Sequence, residues 1–308
     1  MIKIRKAFSM IEVIFVLIIL GIVASISSQI IVQVYENYIL QKALYNTTTK
    51  TELAINQIVN RLSYVIDGTT ISKDTNSSDW VRLKDIPTGE NNFTTIEWIG
   101  YDNDSFSASV APYWSGVANY ETATVDSFIT PASDLSKVAI IMNKLSNGEV
   151  NLTDDNPAGL IFIEKAKQYV DGKEYTPACM GLVDTNTSCI FPVKIGSSDT
   201  NLTFVDTNDT NATDPKIITE RYKLAWSAYA LVPEENSNGL HDLYLYYNYQ
   251  PWNKENYEDN GTKKLLIKDI SVFKFTENGG VIQLKLCASE NIGQDYNISS
   301  CKEKAIIR

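Results

Sequence analysis

Apolar positions fall into three regimes along the chain. Residues 8–26 form an almost unbroken apolar run with one acid, Glu12, inside it. From 27 to 66 there is no Pro or Gly, and apolar residues return at helical spacing: Leu44, Ile55, Ile58, Val59, Leu62, Val65 and Ile66 share a stripe, with Lys50, Glu52, Asn56, Gln57 and Asn60 elsewhere. Asp67 and Gly68 stop that pattern, Gly being the usual residue just past a helix end. One helix from Phe8 to Ile66 is predicted, about 88 Å long at 1.5 Å per residue. Its weak points are Asn46, Thr47, Thr48 and Thr49, poor helix formers, with Gly21, Ser25, Ser27 and Ser28 as further places to bend. A coiled-coil partner is the alternative to packing on the chain's own body, but the irregular apolar spacing argues against it.

Beyond Gly68 the pattern changes to short runs separated by Asn-, Asp- and Gly-rich turns. Strands are expected at 81–86, 94–101, 138–142 and 160–163, then more densely at 217–232, 242–249, 263–276, 281–287 and 305–307. Asn236, Ser237, Asn238 and Gly239 link one late pair and Glu277, Asn278, Gly279 and Gly280 the next, which predicts a meander of hairpins. Residues 154–157 and 199–215 are turn-forming stretches without apolar periodicity. The expected fold is α+β: a long N-terminal helical spine, half membrane-seeking and half amphipathic, packed on an antiparallel β-sheet body.

Phe8 to Ile26 is about 19 residues, enough for one helical crossing of a hydrocarbon core of roughly 30 Å. Lys3, Arg5 and Lys6 precede it and favour a cytoplasmic N-terminus, which puts the body on the other side. Glu12 is the anomaly, because a carboxylate in such a helix costs on the order of 2.5–3.5 kcal/mol and usually marks function.

Lys6, Ala7, Phe8, Ser9, Met10, Ile11, Glu12 and Val13, followed by the apolar run, resemble the prepilin signal of type IV pilins and type II secretion pseudopilins. The resemblance implies a leader of residues 1–7, cleaved between Ala7 and Phe8 by a prepilin peptidase that also methylates the new amine. It implies that Glu12 pairs with the N-terminal amine of a neighbouring subunit during assembly. Residues 8–67 are then the spine, crossing the membrane at 8–26, and residues 68–308 a periplasmic or extracellular body. The partners implied are other pilin or pseudopilin subunits through the helix, the peptidase and methyltransferase, and the inner membrane. Ala7 departs from the family, which more often has Gly there, although a small residue still suits a peptidase subsite. A cleaved secretory signal, using 24–28 as its small-residue site, is the alternative; it leaves Glu12 unexplained. The late meander also resembles the C-terminal sheet of larger minor pseudopilins, the J type of secretion systems or the W type of pili. The function implied is a structural subunit that primes, caps or enters a filament. The alternative is a filament-tip adhesin or substrate-binding module on a pilin-like anchor.

Composition narrows the choice. The net charge is −10, and loss of the three basic residues in the leader takes it to −13, so a basic nucleic-acid face is disfavoured. The single histidine, His241, stands where a strand is expected to begin, and no phosphate-cradling Gly loop occurs, so the expectation is no enzyme. No cofactor is expected. Calcium at Asp206, Asn208 and Asp214 is a weak candidate, because Asn211 and Ile217 stand where a calcium loop needs its Gly and its closing Glu.

Cys179, Cys189, Cys287 and Cys301 lack paired CxxC spacing, which reads as disulfides in an oxidising compartment rather than a Cys₄ metal site. Neighbours along the chain suggest Cys179–Cys189 and Cys287–Cys301, one of three connectivities. Finally, eleven Asn-x-Ser/Thr triplets occur, and nine have an acid two residues before the Asn: Asn76, Asn92, Asn151, Asn186, Asn201, Asn208, Asn211, Asn260 and Asn297. Acids are 37 of 308 residues, so chance alone places about one. Asn46 and Asn103 lack the acid. The nine resemble the extended acceptor used by bacterial oligosaccharyltransferases, with biased loop composition as the alternative. Asn186, Asn201, Asn208 and Asn211 are the expected loop acceptors.

Overall fold

The structure is a computed structural model describing residues 9–74, 79–86, 93–163, 177–205, 218–292 and 296–307. Its first element, α1 (Met10–Leu62), is one continuous helix of 53 residues, about 80 Å long. It ends short of the expected Ile66. The Ile66 N–H donates to the Ile99 carbonyl at 2.9 Å, and Val65 bridges Gly100. A neighbouring strand therefore takes backbone groups that another helical turn would have used.

Thirteen strands follow among the described residues. In chain order they begin with β1 (Ile71–Asp74), β2 (Trp80–Arg82), β3 (Phe93–Gly100), β4 (Ser127–Ile129), β5 (Ala158–Phe162), β6 (Phe191–Ile195), β7 (Asn201–Phe204) and β8 (Tyr222–Ala225). The late set is β9 (Ser227–Glu235), β10 (His241–Tyr247), β11 (Thr262–Asn278), β12 (Val281–Ile292) and β13 (Tyr296–Ile307). Two antiparallel sheets result: eight strands ordered β13-β12-β11-β10-β9-β3-β1-β2, and five ordered β4-β7-β6-β5-β8. The meander of hairpins is as expected, with 236–239 and 277–280 as turns and Gly239, Gly279 and Gly280 taking positive φ there, but β13 runs from Tyr296, well before the expected 305, and pairs along β12.

Pleating lets a strand serve two clusters at once, because successive side chains leave it on opposite faces. In β3, Ile96 and Trp98 join Ile55, Ile58 and Leu62 of α1 in one cluster, while Ile99 joins the core of the five-stranded sheet. In β10, Leu243 and Leu245 face the helix-side cluster, and Tyr246 lies on the opposite side with Ala230 and Val232 of β9. Among the described residues, the core of the five-stranded sheet contains no residue of α1.

Four local expectations are corrected. Residues 138–142 belong to a helix, α2 (Leu135–Leu145), not a strand: Asp134 caps it, its carboxylate accepting from Lys137 N–H at 3.3 Å, and Leu135, Val138 and Met142 are buried at helical spacing. The expected strand 217–232 is broken at Trp226, where the chain leaves β8 in one sheet and enters β9 in the other. The expected strand 81–86 ends at Arg82 and tightens into a turn that buries Leu83. Within 199–215, residues 201–204 are β7 rather than turn.

Candidate functional site

The first half of α1 is the most unusual surface. Every residue from 9 to 38 is exposed, including Met10 at 83%, Phe15 at 67% and Leu17 at 64%. The helix is long and apolar enough to cross a membrane. Its apolar exposure does not stop at Ile26: Ile30, Ile31, Val34, Tyr35 and Tyr38 are exposed as well, extending the apolar surface about 18 Å beyond the predicted membrane segment. Monomeric soluble proteins rarely leave such a patch in water, and its length and apolar character are consistent with a single-pass membrane anchor.

Glu12 closes the start of this helix as the third residue of a capping box. Ser9 Oγ accepts from Glu12 N–H at 3.3 Å, and the Glu12 carboxylate accepts from Ser9 N–H at 3.0 Å and from Ser9 Oγ at 3.2 Å. Within one chain the carboxylate therefore satisfies the Ser9 N–H, and the Ser9 hydroxyl the Glu12 N–H, donors that no preceding turn can serve. Ala7 and Phe8, the expected cleavage pair, lie outside the described residues.

From Ala43 onward the same helix is docked. Ala43, Thr47, Thr51 and Ala54 give a narrow face that lets the backbone approach β12 and β13, and Ile55, Ile58 and Leu62 then fill the cluster below. Full burial of each of these three large side chains contributes about 1.5–3 kcal/mol. Leu44, expected in the stripe, is half exposed because Ala43 and Thr47 occupy the buried side at that height. The threonine patch does not break the helix. Thr51 Oγ1 donates to the Thr47 carbonyl at 2.7 Å, a bond back onto the preceding helical turn, and Thr47 Oγ1 donates to Glu290 Oε2 of β12 at 3.2 Å, so the Thr47 hydroxyl carries a tertiary contact while that of Thr51 stays within the helix. At the rim, Glu52 pairs with Lys302 at 3.1 Å and Lys304 at 3.4 Å on β13. Lys302 beside it holds the Glu52 carboxyl below the ordinary carboxylate range.

Both expected disulfides are present. Cys287 and Cys301 are directly opposite on β12 and β13, with Cα atoms 4.0 Å apart, and so lock the edge strand that α1 packs against. Cys179 and Cys189 close a loop of the five-stranded half, with Cα atoms 5.2 Å apart.

The acid-preceded asparagines are dispersed, not gathered. Asn76, Asn92, Asn208 and Asn211 lie outside the described residues, as do the calcium candidates Asp206 and Asp214. Among the described residues no group of three or more His, Cys, Asp or Glu side chains is placed to hold a metal. Asn201, expected on a loop, is instead 7% exposed in β7: its Nδ2 donates to the Phe128 carbonyl at 3.3 Å, and its Oδ1 accepts from Ser197 N–H and Thr203 Oγ1, each at 3.2 Å. Asn151 is half-buried between buried Val150 and Leu152. Asn297 is exposed within β13, paired with Asn291. Asn260 is exposed in a turn, Asn186 is exposed in irregular backbone, and His241 is exposed at the start of β10.

Two buried acids were not singled out from sequence. Glu97 of β3 is buried, its carboxyl pushed up chiefly by burial, with Lys73 at 2.6 Å and the Tyr249 hydroxyl donating at 2.8 Å. An acid between Ile96 and Trp98 in an apolar strand was the available signal. Asp102 is fully buried and pushed up to about 6, mainly by burial; Oδ1 accepts from Ser105 N–H at 3.1 Å, and Oδ2 has no hydrogen-bond partner among the described residues. Beside it, Tyr101, Phe106 and Trp114 surround the Lys223 ammonium, 4.1 Å from the Tyr101 ring centre. Burial, and then the charge of Arg221, push the Lys223 pKa down. These groups fasten the junction of the two sheets, since Asp102 N–H also donates to the Leu224 carbonyl of β8 at 2.7 Å.

Compared with protein-family models, curated proteins and solved structures, the chain finds no match in any of the three.

Proposed function

We propose that this chain is a minor subunit of a type IV pilus or type II secretion pseudopilus, held in the inner membrane by residues 8–26 before it joins a filament. The observation that carries the reading is the division of α1. One unbroken helix offers an apolar, wholly exposed half and a half spent on its own body, so lateral association of several copies or relatives would cover the first without disturbing the second. The position of Glu12 supports it. Cleavage before Phe8 creates an ammonium next to the Ser9 cap, and an ammonium and a carboxylate, each costly alone in lipid, neutralise one another when helices bundle. On this reading the carboxylate exchanges its own chain's Ser9 donors for the amine of a neighbour.

Mass spectrometry of membrane-extracted protein is expected to find a chain beginning at methylated Phe8. Glu12→Ala is expected to leave membrane insertion intact and to reduce recovery in purified filaments. A chain that begins near Ser27 or Ser28 would overturn the filament reading in favour of a secretory signal.

A second reading, a filament-tip binding module, is favoured by the five-stranded sheet, whose core contains no residue of α1 among the described residues. It predicts that the body alone binds a surface or secreted substrate in the absence of other subunits.

A further inference from the structure

We propose that Asn186 is the acceptor of an Asn-linked oligosaccharide, presented by the loop that Cys179–Cys189 closes. Two independent observations meet there. The first is the nine-in-eleven occurrence of an acid two residues before the Asn-x-Ser/Thr triplets, far above what composition supplies. The second is geometric selection among the triplets the structure describes. Such a triplet accepts glycan only where a transferase can seize its backbone and reach the amide nitrogen. Asn201 fails this, because its Nδ2 is a buried donor to Phe128. Asn151 is anchored on both sides by buried neighbours, Asn297 sits in a strand ladder, and Thr262, which completes the Asn260 triplet, is the first residue of β11.

Asn186 meets every requirement. Asp184, Asn186 and Ser188 are all exposed. Asn186 Oδ1 accepts from Ser188 N–H at 3.1 Å, and its Nδ2 donates no hydrogen bond among the described residues. One backbone–backbone bond involves the residue, from Gly181 N–H to the Asn186 carbonyl at 2.8 Å. The Asp184 carboxylate accepts from Asn186 N–H at 2.8 Å yet remains exposed, a negative handle for a basic group on a transferase. The disulfide, with the Cys189 N–H bonded to the Cys179 carbonyl at 3.0 Å, holds the loop's base while its tip stays accessible. Transfer forms one bond, from Asn186 Nδ2 to the sugar C1. It breaks the C1–O bond to the pyrophosphate of a polyprenyl-linked oligosaccharide donor and gives the amide proton to the transferase's base. The inference rests on one part of the preceding reading, that the body lies outside the cytoplasm.

The test is peptide mapping by mass spectrometry of the full chain purified unreduced from its native host. The peptide holding Asn186 is expected to carry an oligosaccharide mass increment, and the Asn201 peptide none. Asn186→Gln and, separately, Ser188→Ala are each expected to remove that increment, while the Cys179–Cys189 linkage in the same map reports that the loop still folds. An unmodified Asn186 beside oxidised cysteines overturns this inference and leaves the membrane-anchored reading standing. Reduced cysteines with an unmodified Asn186 overturn both.

Discussion

The two halves of α1 share one backbone, one helical rise and no break between them, yet they answer to different surroundings. Residues 10–38 carry large apolar side chains around the helix and bury none of them. The stretch from Ala43 to Leu62 carries fewer, confines the buried ones to a single face, and alternates them with small residues and threonines. The contrast shows that helicity and docking are separable. An all-round apolar helix is suited to lipid or a bundle, whereas a one-sided helix is suited to a sheet. The docked half also has defined restraints at its rim, where Glu52 and Thr47 meet β13 and β12. The free half has only its cap.

The sharpest way to break this comparison is to truncate equivalent side chains in both halves of the full chain. Leu62→Ala and Ile58→Ala are each expected to lower unfolding stability by about 2–5 kcal/mol in denaturant titration. Ile19→Ala and Ile22→Ala should leave the body's midpoint unmoved. A loss under about half a kcal/mol at both docked sites would show that the helix does not pack there.

Replacing Cys287 and Cys301 together by Ser should cost about 3 kcal/mol in the chain-entropy picture for a loop of this length. It should also raise amide exchange in the docked half of α1 more than in the free half, because the linkage holds β13 to β12.

Asp102 tests the part of the body that α1 does not touch. Its carboxyl rises from 3.8 to about 6 in the folded state, so the native chain binds the proton more tightly than the unfolded chain. Its contribution is therefore fully present below about pH 4 and falls away, by on the order of 3 kcal/mol, as pH rises to about 6. Glu97, also pushed up by burial, slopes the same way. The difference between wild type and Asp102→Asn isolates Asp102, and a variant with an unchanged pH slope would show that its burial is wrongly assigned.

Glu52→Gln removes the rim pairs with Lys302 and Lys304, and a small, salt-sensitive drop in the midpoint is expected. Smallest of all, a fragment beginning at Val34 should keep the full chain's midpoint to within about half a kcal/mol, since none of the described residues it loses is buried.

Legibility followed the range of the interactions. The late meander was readable because Asn-Gly and Gly-Gly turns and alternating aromatics are local signals that neighbouring strands satisfy. The five-stranded sheet was not, since its order β4-β7-β6-β5-β8 joins segments distant in sequence. Residues 138–142 misled because five consecutive apolar residues fit a strand as well as a buried helix face. The deciding signal, the Asp134 cap with Leu135, Val138 and Met142 in register, lay partly outside that window. Asn201 misled for a related reason: an Asp- and Thr-rich segment looks like a loop until two neighbouring strands claim its backbone.

The sequence by itself determined the spine, its apolar first half, the acid at its start and the late hairpins at 236–239 and 277–280, and it suggested the pairing of nearby cysteines. All of these rest on contacts within a few turns or one hairpin. Only the tertiary structure decided where α1 stops, that Thr47 bonds to a strand, that Trp226 divides two sheets, and which asparagine is core and which is surface. Each of those depends on whether a partner far along the chain takes a backbone or side-chain hydrogen bond, and local periodicity carries no record of that choice.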